Sequence, residues 1–480
     1  MGSMLTVAKF GGNTLGVNGR NIPLILSRIK EMLENDGKVV AVLSAPFTEY
    51  GKVRSLTDIA IEIGKSYASS EPIDIDVLSS VYEYIAREYM DEYNRQEFLA
   101  KLKEFNRHVI VALKQAAEYK RFVDVTRARV LAYSGELVMA AAMHYIMRSN
   151  GINSCYVEFS EWPIITDDNY EAANFMLDAS KSACKRFYEM LNTHDVVCIG
   201  GFIGKTMDGL ESTYERGGSD RTAADIAILL YDKYGKDMLL SFEKDSSVLS
   251  ADPKIVKEGL EHVKVLSYNE AKLAGMFGMK ILDPIAIKDI EEACIDVSIR
   301  ITNINNSKDY TSILRTPEYD NSRDNPIKIV TGKRKCCIVR MRSESAWHFK
   351  EHLLKYRRYN EFVQLSPYMK DDKEFARLLF LDAEFIKRYE RHVKAYDSSA
   401  EIVYGRGVIT LIGDGMHRVP NVASMASGTL GEQGINIINM DAQEETSRIV
   451  IVVEDKDENV ENAIRAIHAK RARYANIATY

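Results

Sequence analysis

Residues 195–232 constrain the fold more than any other part of this chain. The segment opens with the apolar run Val196–Ile199, breaks at Gly200-Gly201, and breaks again at Arg216-Gly217-Gly218 before Ser219-Asp220. Ser219 and Asp220 suit the first free amides of a helix, and Ala223, Ile226, Ala227, Leu229 and Leu230 give that helix an apolar face. A buried strand that feeds a helix belongs to an α/β layer architecture. Bare amides at a glycine-fed helix start also attract an anion. Arg216 adds a positive charge there and Asp220 a negative one. Taken alone, the same residues equally describe an ordinary capped turn.

The remaining chain extends the α/β pattern. Residues 5–10 form a short strand that ends in Lys9 and runs into Gly11-Gly12-Asn13-Thr14. No Lys-Ser/Thr pair follows the glycines, so this is not a Walker loop; it suits a point-charge phosphate grip beside a nest of amides. Ile22, Ile25, Leu26, Ile29, Met32 and Leu33 recur with helical spacing before the strand Val39–Leu43 and the turn Ser44-Ala45-Pro46. Residues 53–121 read as a helical excursion. A helix over 127–149 carries Ser134-Gly135-Glu136 in an apolar setting, where a carboxylate needs either a structural partner or a cationic ligand. Strands at 154–159, 195–199, 238–242 and 296–301 alternate with helices at 172–191, 267–275 and 284–293. This predicts a mostly parallel sheet covered on both faces over residues 4–302.

The polar stretch 303–326 reads as a linker. Beyond it, 407–469 reads strand (408–412), helix (422–433), strand (435–439), strand (448–453), helix (458–469), a ferredoxin-like βαββα unit. Residues 327–400 begin the same way, with a strand at 337–341 and a helix at 346–356, and then carry an extra helix at 373–395. Two related units, 327–400 and 401–480, suggest an internal repeat.

Composition limits the function classes. A chain of 480 residues with 46% apolar and 28% charged residues and net charge −6 offers no electrostatic case for nucleic acid or a membrane surface. Lys470, Arg471 and Arg473 read as a solvated helix end. No uninterrupted apolar run approaches the ~20 residues that span a bilayer. Cys155, Cys184, Cys198, Cys294, Cys336 and Cys337 show no CxxC or Cys/His spacing. Reduced thiols, a cytoplasmic setting and no protein-held metal are therefore expected.

Together KFGGNTLG (9–16), LSAP (43–46), LTD (56–58), SGE (134–136), ERGGSD (215–220), SADPKIV (250–256) and FGMKILDP (277–284) resemble the aspartate kinase family. That family belongs to the amino acid kinase superfamily, and the two C-terminal units resemble its paired ACT domains. The resemblance implies ATP-dependent phosphorylation of the L-aspartate side-chain carboxylate, with Mg2+ accompanying the nucleotide and held mainly by phosphates and water. Lys9 and Asp220 would be catalytic, and Thr57, Glu136, Arg216 and Ser219 would bind substrate. Lys9, Gly11, Gly12, Thr14, Gly200, Gly201, Lys244, Asp245, Ser250, Asp252, Lys254 and Lys280 would surround the nucleotide.

The sequence departs from the family pattern in places. Ser250 stands where a tyrosine is usual, Lys254 where arginine is usual, and Asp283 where histidine precedes Pro284. The resemblance further implies a homodimer or dimer of dimers through the ACT units, and feedback by an amino acid such as lysine or threonine. Effector contacts would come from Met416, Asn421 and Val422 in the second unit. In the first they would come from Met341, Ser343 and Ser345 and, within 361–364, from Phe362 and Gln364. Two other readings remain: a related kinase forming an acyl phosphate on another small acid, and a weakly catalytic ACT-based amino-acid sensor.

Overall fold

The computed structural model describes residues 4–215, 217–317, 325–355, 362–443 and 446–474. Arg216 and Glu361 lie outside the described residues, as does 318–324 of the expected linker. The chain divides into two compact units, one built from residues up to 247 together with 285–314, the other from 248–284 together with 315 onward.

The first unit is built on a sheet of β1 (Leu5–Phe10), β2 (Lys38–Leu43), β3 (Ser154–Tyr156), β4 (Val196–Gly200), β5 (Met238–Lys244), β6 (Ser298–Asn303) and β7 (Asn306–Leu314). The strands run in the order β7-β6-β5-β1-β2-β4-β3. All neighbours are parallel except the β6–β7 hairpin. Val39–Leu43 and Val196–Ile199 are inaccessible along their whole length, as strands covered on both faces must be. Strand β1 has β5 on one side and β2 on the other, so the order reverses direction there. The carboxyl ends of β1, β2, β4 and β5 thus open on a topological switch point, where α/β sheets place their ligands.

Helix α1 (Ile22–Asp36) packs on β1 and β2, and the excursion forms α2 (Leu56–Ala68), α3 (Val77–Tyr89) and α4 (Glu92–Tyr119). The expected helix 127–149 is two helices, α5 (Asp124–Ser134) and α6 (Glu136–Ser149), broken at Gly135 with φ −125° and ψ −102°. The phenol of Tyr82 donates to the Gly135 carbonyl (2.8 Å), which also accepts from the Met139 amide (3.0 Å), so the break is held from the helical layer. By length and composition Asp124–Ser149 could cross a membrane, yet 94% of its apolar window is buried in the protein. Helix α7 (Ser219–Tyr234) covers β1, β2 and β5. The stretch expected as a linker from 303 instead supplies β7, because Thr311 and Ile313 alternate inward against β6.

The second unit includes α8 (Tyr268–Met276) and two βαββα repeats. The first is β8 (Ile329–Arg342), α9 (Ser343–Lys355), β9 (Phe362–Lys370), β10 (Lys373–Phe380) and α10 (Ala383–Tyr396). The second is β11 (Glu401–Ile412), α11 (Val422–Glu432), β12 (Asn439–Gln443), β13 (Arg448–Glu454) and α12 (Asn459–Arg471). Both share one sheet, ordered β9-β10-β8-β11-β13-β12. The expected helix 373–395 is wrong in its first half. Phe375, Leu378 and Leu379 mimic helical spacing, but Ala376, Leu378 and Phe380 alternate into the core as a strand paired with β8. The expected strand 435–439 begins at Asn439, since Gly434, with φ +67°, ends α11 and residues 435–438 only lead into β12.

A buried ion pair anchors this unit. Lys328 Nζ lies 2.8 Å from Glu270 Oε2, with side chains 9% and 0% exposed. Glu270 also accepts from the amides of Ser267 (2.8 Å) and Asp414 (2.7 Å). Lys328→Met strands a buried carboxylate and is expected to cost about 3 kcal/mol, while adding Glu270→Gln restores more than half. Urea denaturation of both variants checks this; a single-variant loss below about 1 kcal/mol would refute the anchor.

Candidate active site

The carboxyl end of β1 carries a charged cluster. Lys9 Nζ lies 2.7 Å from Asp220 Oδ1, both side chains nearly buried. Asp220 occupies the first turn of α7, where the helix dipole favours a carboxylate. Lys244, the last residue of β5, places Nζ 3.9 Å from Asp220 Oδ2. Burial lowers the Lys244 pKa and the Lys9 ammonium lowers it further, against the opposing pull of Asp220. Two ammonium groups thus share one carboxylate, leaving a positive excess at the switch point.

The turn after β2 ties the other groups to this cluster. Ser44 Oγ donates to Ser219 Oγ (2.9 Å), one residue before Asp220. The Ala45 amide approaches Glu136 Oε1 (3.4 Å), and the Pro46 carbonyl accepts from the Leu56 amide (3.2 Å) beside Thr57. Glu136 opens α6 and is 4% exposed, and its Oε2 is buried without a hydrogen-bond partner. Burial raises its pKa to about 7, against the pull of its own amide and that of Ala45. Gly201 admits no side chain, since a Cβ would sit 2.6 Å from that of Ser219. At Gly12 a Cβ would meet the Ala45 carbonyl at 2.8 Å. The glycine loops therefore pack tightly, with backbone rather than side chains facing the cleft.

The structure thus gathers Lys9, Gly11, Gly12, Thr57, Glu136, Gly200, Gly201, Ser219, Asp220 and Lys244 around the ends of β1, β2, β4 and β5. Asp245 follows Lys244 and is exposed. Arg216 lies outside the described residues. Thr14 departs from expectation: it is buried and its hydroxyl donates to the Glu243 carbonyl (2.8 Å), so it pins the glycine loop instead of facing a ligand. Ser250, Asp252, Lys254 and Lys280 belong to the second unit. Ser250 is fully buried there, hydrogen-bonded to His468 Nε2 (2.8 Å) and accepting from the Glu261 amide (3.0 Å), so it is a core polar residue and not a nucleotide contact. Lys254 and Lys280 are exposed, and Asp252 accepts from the Lys254 amide (2.8 Å).

Four residues went unselected. Ser44 and Ala45 sit in the LSAP motif, which was the signal for them. Glu243 is buried at the end of β5, held by Arg28 Nε (3.0 Å) and Ser241 Oγ (2.6 Å). A glutamate ending an apolar strand, and Arg28 inside the apolar stripe of α1, were the available clues for this pair.

In the second unit, Met416, Asn421 and Val422 line a cavity of about 410 Å³. The first-repeat candidates do not form a counterpart. Strand β8 passes into α9 with no intervening loop, Met341 is a fully buried core residue, and Ser343 and Ser345 fall in the first turn of α9. Phe362 packs against that core, and Gln364 accepts from Lys350 Nζ.

Residues 4–301 match the model of the amino acid kinase family. The chain belongs to the amino acid kinase family. Residues 409–470 match an ACT domain model. Among relatives, the chain is 26% identical over 342 residues to a chloroplastic bifunctional aspartokinase/homoserine dehydrogenase of Arabidopsis thaliana, covering 68% of this chain and 34% of that protein. It thus spans about a third of that relative's length. It is 25% identical over 478 residues to an aspartokinase of Helicobacter pylori, covering 97% and 98% of the two chains. The fold is similar to that of E. coli aspartokinase III in complex with aspartate and ADP, with a TM-score of 0.76, 16% identity, and coverage of 97% and 99%.

Glu136 makes stability depend on pH in a defined direction. Its pKa is near 7 folded and 4.5 ordinarily, so between those values the folded state binds the extra proton and its stabilising share is lost as pH rises through about 7. At about 1.4 kcal/mol per pH unit, Glu136→Gln should gain about 2–3 kcal/mol over the parent between about pH 5 and pH 8 without ligand. Urea denaturation at both values tests this, and a pH-independent difference would overturn it.

Proposed function

We propose that this amino acid kinase family member is an aspartate kinase that transfers the γ-phosphoryl group of ATP to the side-chain carboxylate of L-aspartate. One observation carries the reading. A single cluster holds two partly buried ammonium groups sharing one carboxylate and, joined through the Ser44-Ala45 turn, a second buried carboxylate with an open oxygen. Such a cluster complements a ligand that is anionic at one end and ammonium-bearing at the other. The aspartokinase relatives agree with this reading.

The acceptor carboxylate has a reference pKa near 3.9, so it arrives ionised and needs no general base. One of its oxygens bonds to the γ-phosphorus as the bond to the β,γ-bridging oxygen breaks. ADP leaves with that electron pair, and a mixed carboxylic–phosphoric anhydride remains. What the chain supplies is charge compensation and alignment. Lys9 lies between nucleophile and phosphoryl group, and Asp220 orients it. Gly11, Gly12, Gly200 and Gly201 direct amides to phosphate oxygens, with Lys244 as the second cation. Glu136 receives the substrate ammonium, Thr57 and Ser219 add hydroxyls, and Arg216 forks the second substrate carboxylate. Backbone-lined loops and two cations suit a triphosphate. Mg2+ would neutralise the phosphates, held by them and by water, and no protein ligand is assigned. The ACT region binds an amino-acid effector and pairs copies of the chain.

Hydroxylamine trapping of the acyl phosphate formed from Mg-ATP and L-aspartate tests the reading. Lys9→Ala should lower kcat by about 10²-fold or more, as loss of a principal electrostatic group does. Turnover near the parent's would remove Lys9 from its role. Glu136→Gln should raise the aspartate KM at least about tenfold with the ATP KM unchanged. A rise confined to ATP would mean that substrate and nucleotide sides are exchanged.

A further inference from the structure

Tyr214 belongs to none of the motifs, yet it sits where both glycine loops meet α7. It follows the short strand Glu211–Thr213 and is completely buried. Its amide donates to the Phe202 carbonyl (2.9 Å), just beyond Gly200-Gly201. The Phe202 amide in turn donates to Thr222 Oγ1 (2.8 Å), and that hydroxyl donates to the Gly218 carbonyl (3.2 Å). At Gly218 a Cβ would lie 2.3 Å from the Cβ of Tyr214, so the chain leaves Tyr214 and soon returns against it. One residue thereby fixes both the exit from Gly200-Gly201 and the entry to Ser219-Asp220.

The side chain of Tyr214 is clamped at its tip and on one face. The phenol donates to Asp225 Oδ2, in the second turn of α7 and wholly inaccessible. Arg221 holds its guanidinium carbon 4.2 Å from the ring centre and its Nε 3.6 Å from Asp289 Oδ2, with both side chains buried. Burial first and the Asp225 carboxylate second push the phenol pKa well up, against the pull of Arg221, so the phenol stays a donor. A buried set of charges adds little to stability over apolar side chains of the same volume. What it adds here is direction, since a ring bonded at its tip and capped on a face has one orientation.

Resting on the reading of this chain as an aspartate kinase, we propose that Tyr214, held by Asp225 and Arg221, is a positioning residue for phosphoryl transfer. Being fully buried, it touches no ligand. It acts through the Gly200-Gly201 amides and through Ser219-Asp220, and so on Lys9. These groups meet the charge that moves during transfer, where a displacement of about 1 Å can cost about 10²-fold in rate. The loss on removing the tie therefore falls on kcat and not on KM.

Hydroxamate kinetics and urea denaturation of the full chain test this with Tyr214→Phe, Asp225→Asn and the double variant Tyr214→Phe/Asp225→Leu. Tyr214→Phe keeps the ring and removes the donor. Its kcat should fall at least about tenfold, with the KM of aspartate and of ATP each within about threefold of the parent's. Asp225→Asn keeps an acceptor for the phenol and should hold kcat within about threefold. The double variant removes donor and acceptor together, so its urea midpoint should return toward the parent's while kcat stays at least about tenfold low. Recovery of kcat together with the midpoint would mean a role in stability alone and overturn the positioning role. Parental kcat in Tyr214→Phe, or a loss confined to KM, would overturn it as well. A parent that forms no hydroxamate removes the kinase reading and this role with it, whereas an active parent with an unaffected Tyr214→Phe removes the role alone.

Discussion

The ion pair between Lys9 and Asp220 fixes the geometry on which the catalytic unit depends. Lys9 sits near the carboxyl end of the strand where the sheet order reverses, and an unpaired ammonium at so dry a place would carry a large desolvation cost. Asp220 removes that cost from a helix start that itself favours negative charge. The pair therefore ties the end of β1 to the start of α7 before any ligand arrives. Lys244 is drawn to the same carboxylate at 3.9 Å, so the cluster stays positive overall. Beneath the cluster, Arg28 and Glu243 do the equivalent work for the glycine loop, since the Glu243 carbonyl holds Thr14.

Much of this was legible because the local signals agreed with one another. Val39–Leu43 and Val196–Ile199 read as buried strands, and Gly200-Gly201, Gly217-Gly218 and Ser219-Asp220 marked the strand–helix passage that the structure has. Lys9, Glu136 and Asp220 stood out as charges at apolar junctions, and the fold brings them to one end of the sheet. Thr14 and Ser250 misled for a common reason. A hydroxyl beside a glycine loop looks the same in sequence whether it faces a ligand or a carbonyl, and only the tertiary partner decides. Residues 373–380 failed differently: Phe375, Leu378 and Leu379 satisfy a helical period, and pairing with β8 overrides it. Residues 306–314 are polar on alternate positions because one face of β7 is exposed while Thr311 and Ile313 turn inward, so the exposed half reads as linker.

Glu136 illustrates how a binding site can be costly in the free protein. Its carboxyl has been stripped of water at the break between α5 and α6, which burial registers as a pKa near 7. Among the described residues no cation pairs with it. The Gly135 break explains the arrangement: a continuous helix would carry the side chain past the cleft, whereas the kink starts α6 at Glu136 and presents it beside the Ala45 turn. Tyr82 supports that kink from the helical layer, so α3 contributes to the site without reaching it. The helical excursion is thus part of the catalytic unit's architecture.

The two βαββα repeats are equivalent in topology and unequal in what they can hold. Strands β8 and β11 are long enough to serve both cores. Val330 and Ile409 face one cluster, Cys337, Val339 and Ile402 the other, and β8 changes register between Lys333 and Ile338 where the cores meet. Two cores packed on the same two strands do not let one repeat shift freely while the other stays fixed. The 413–421 loop hangs from the end of β11, and its Asp414 amide is held by Glu270, which is buried against Lys328. Any displacement of that loop would pull on β11 at one end and on the Glu270–Lys328 anchor at the other. The first repeat is built on the same two strands and is therefore tied to that loop through them.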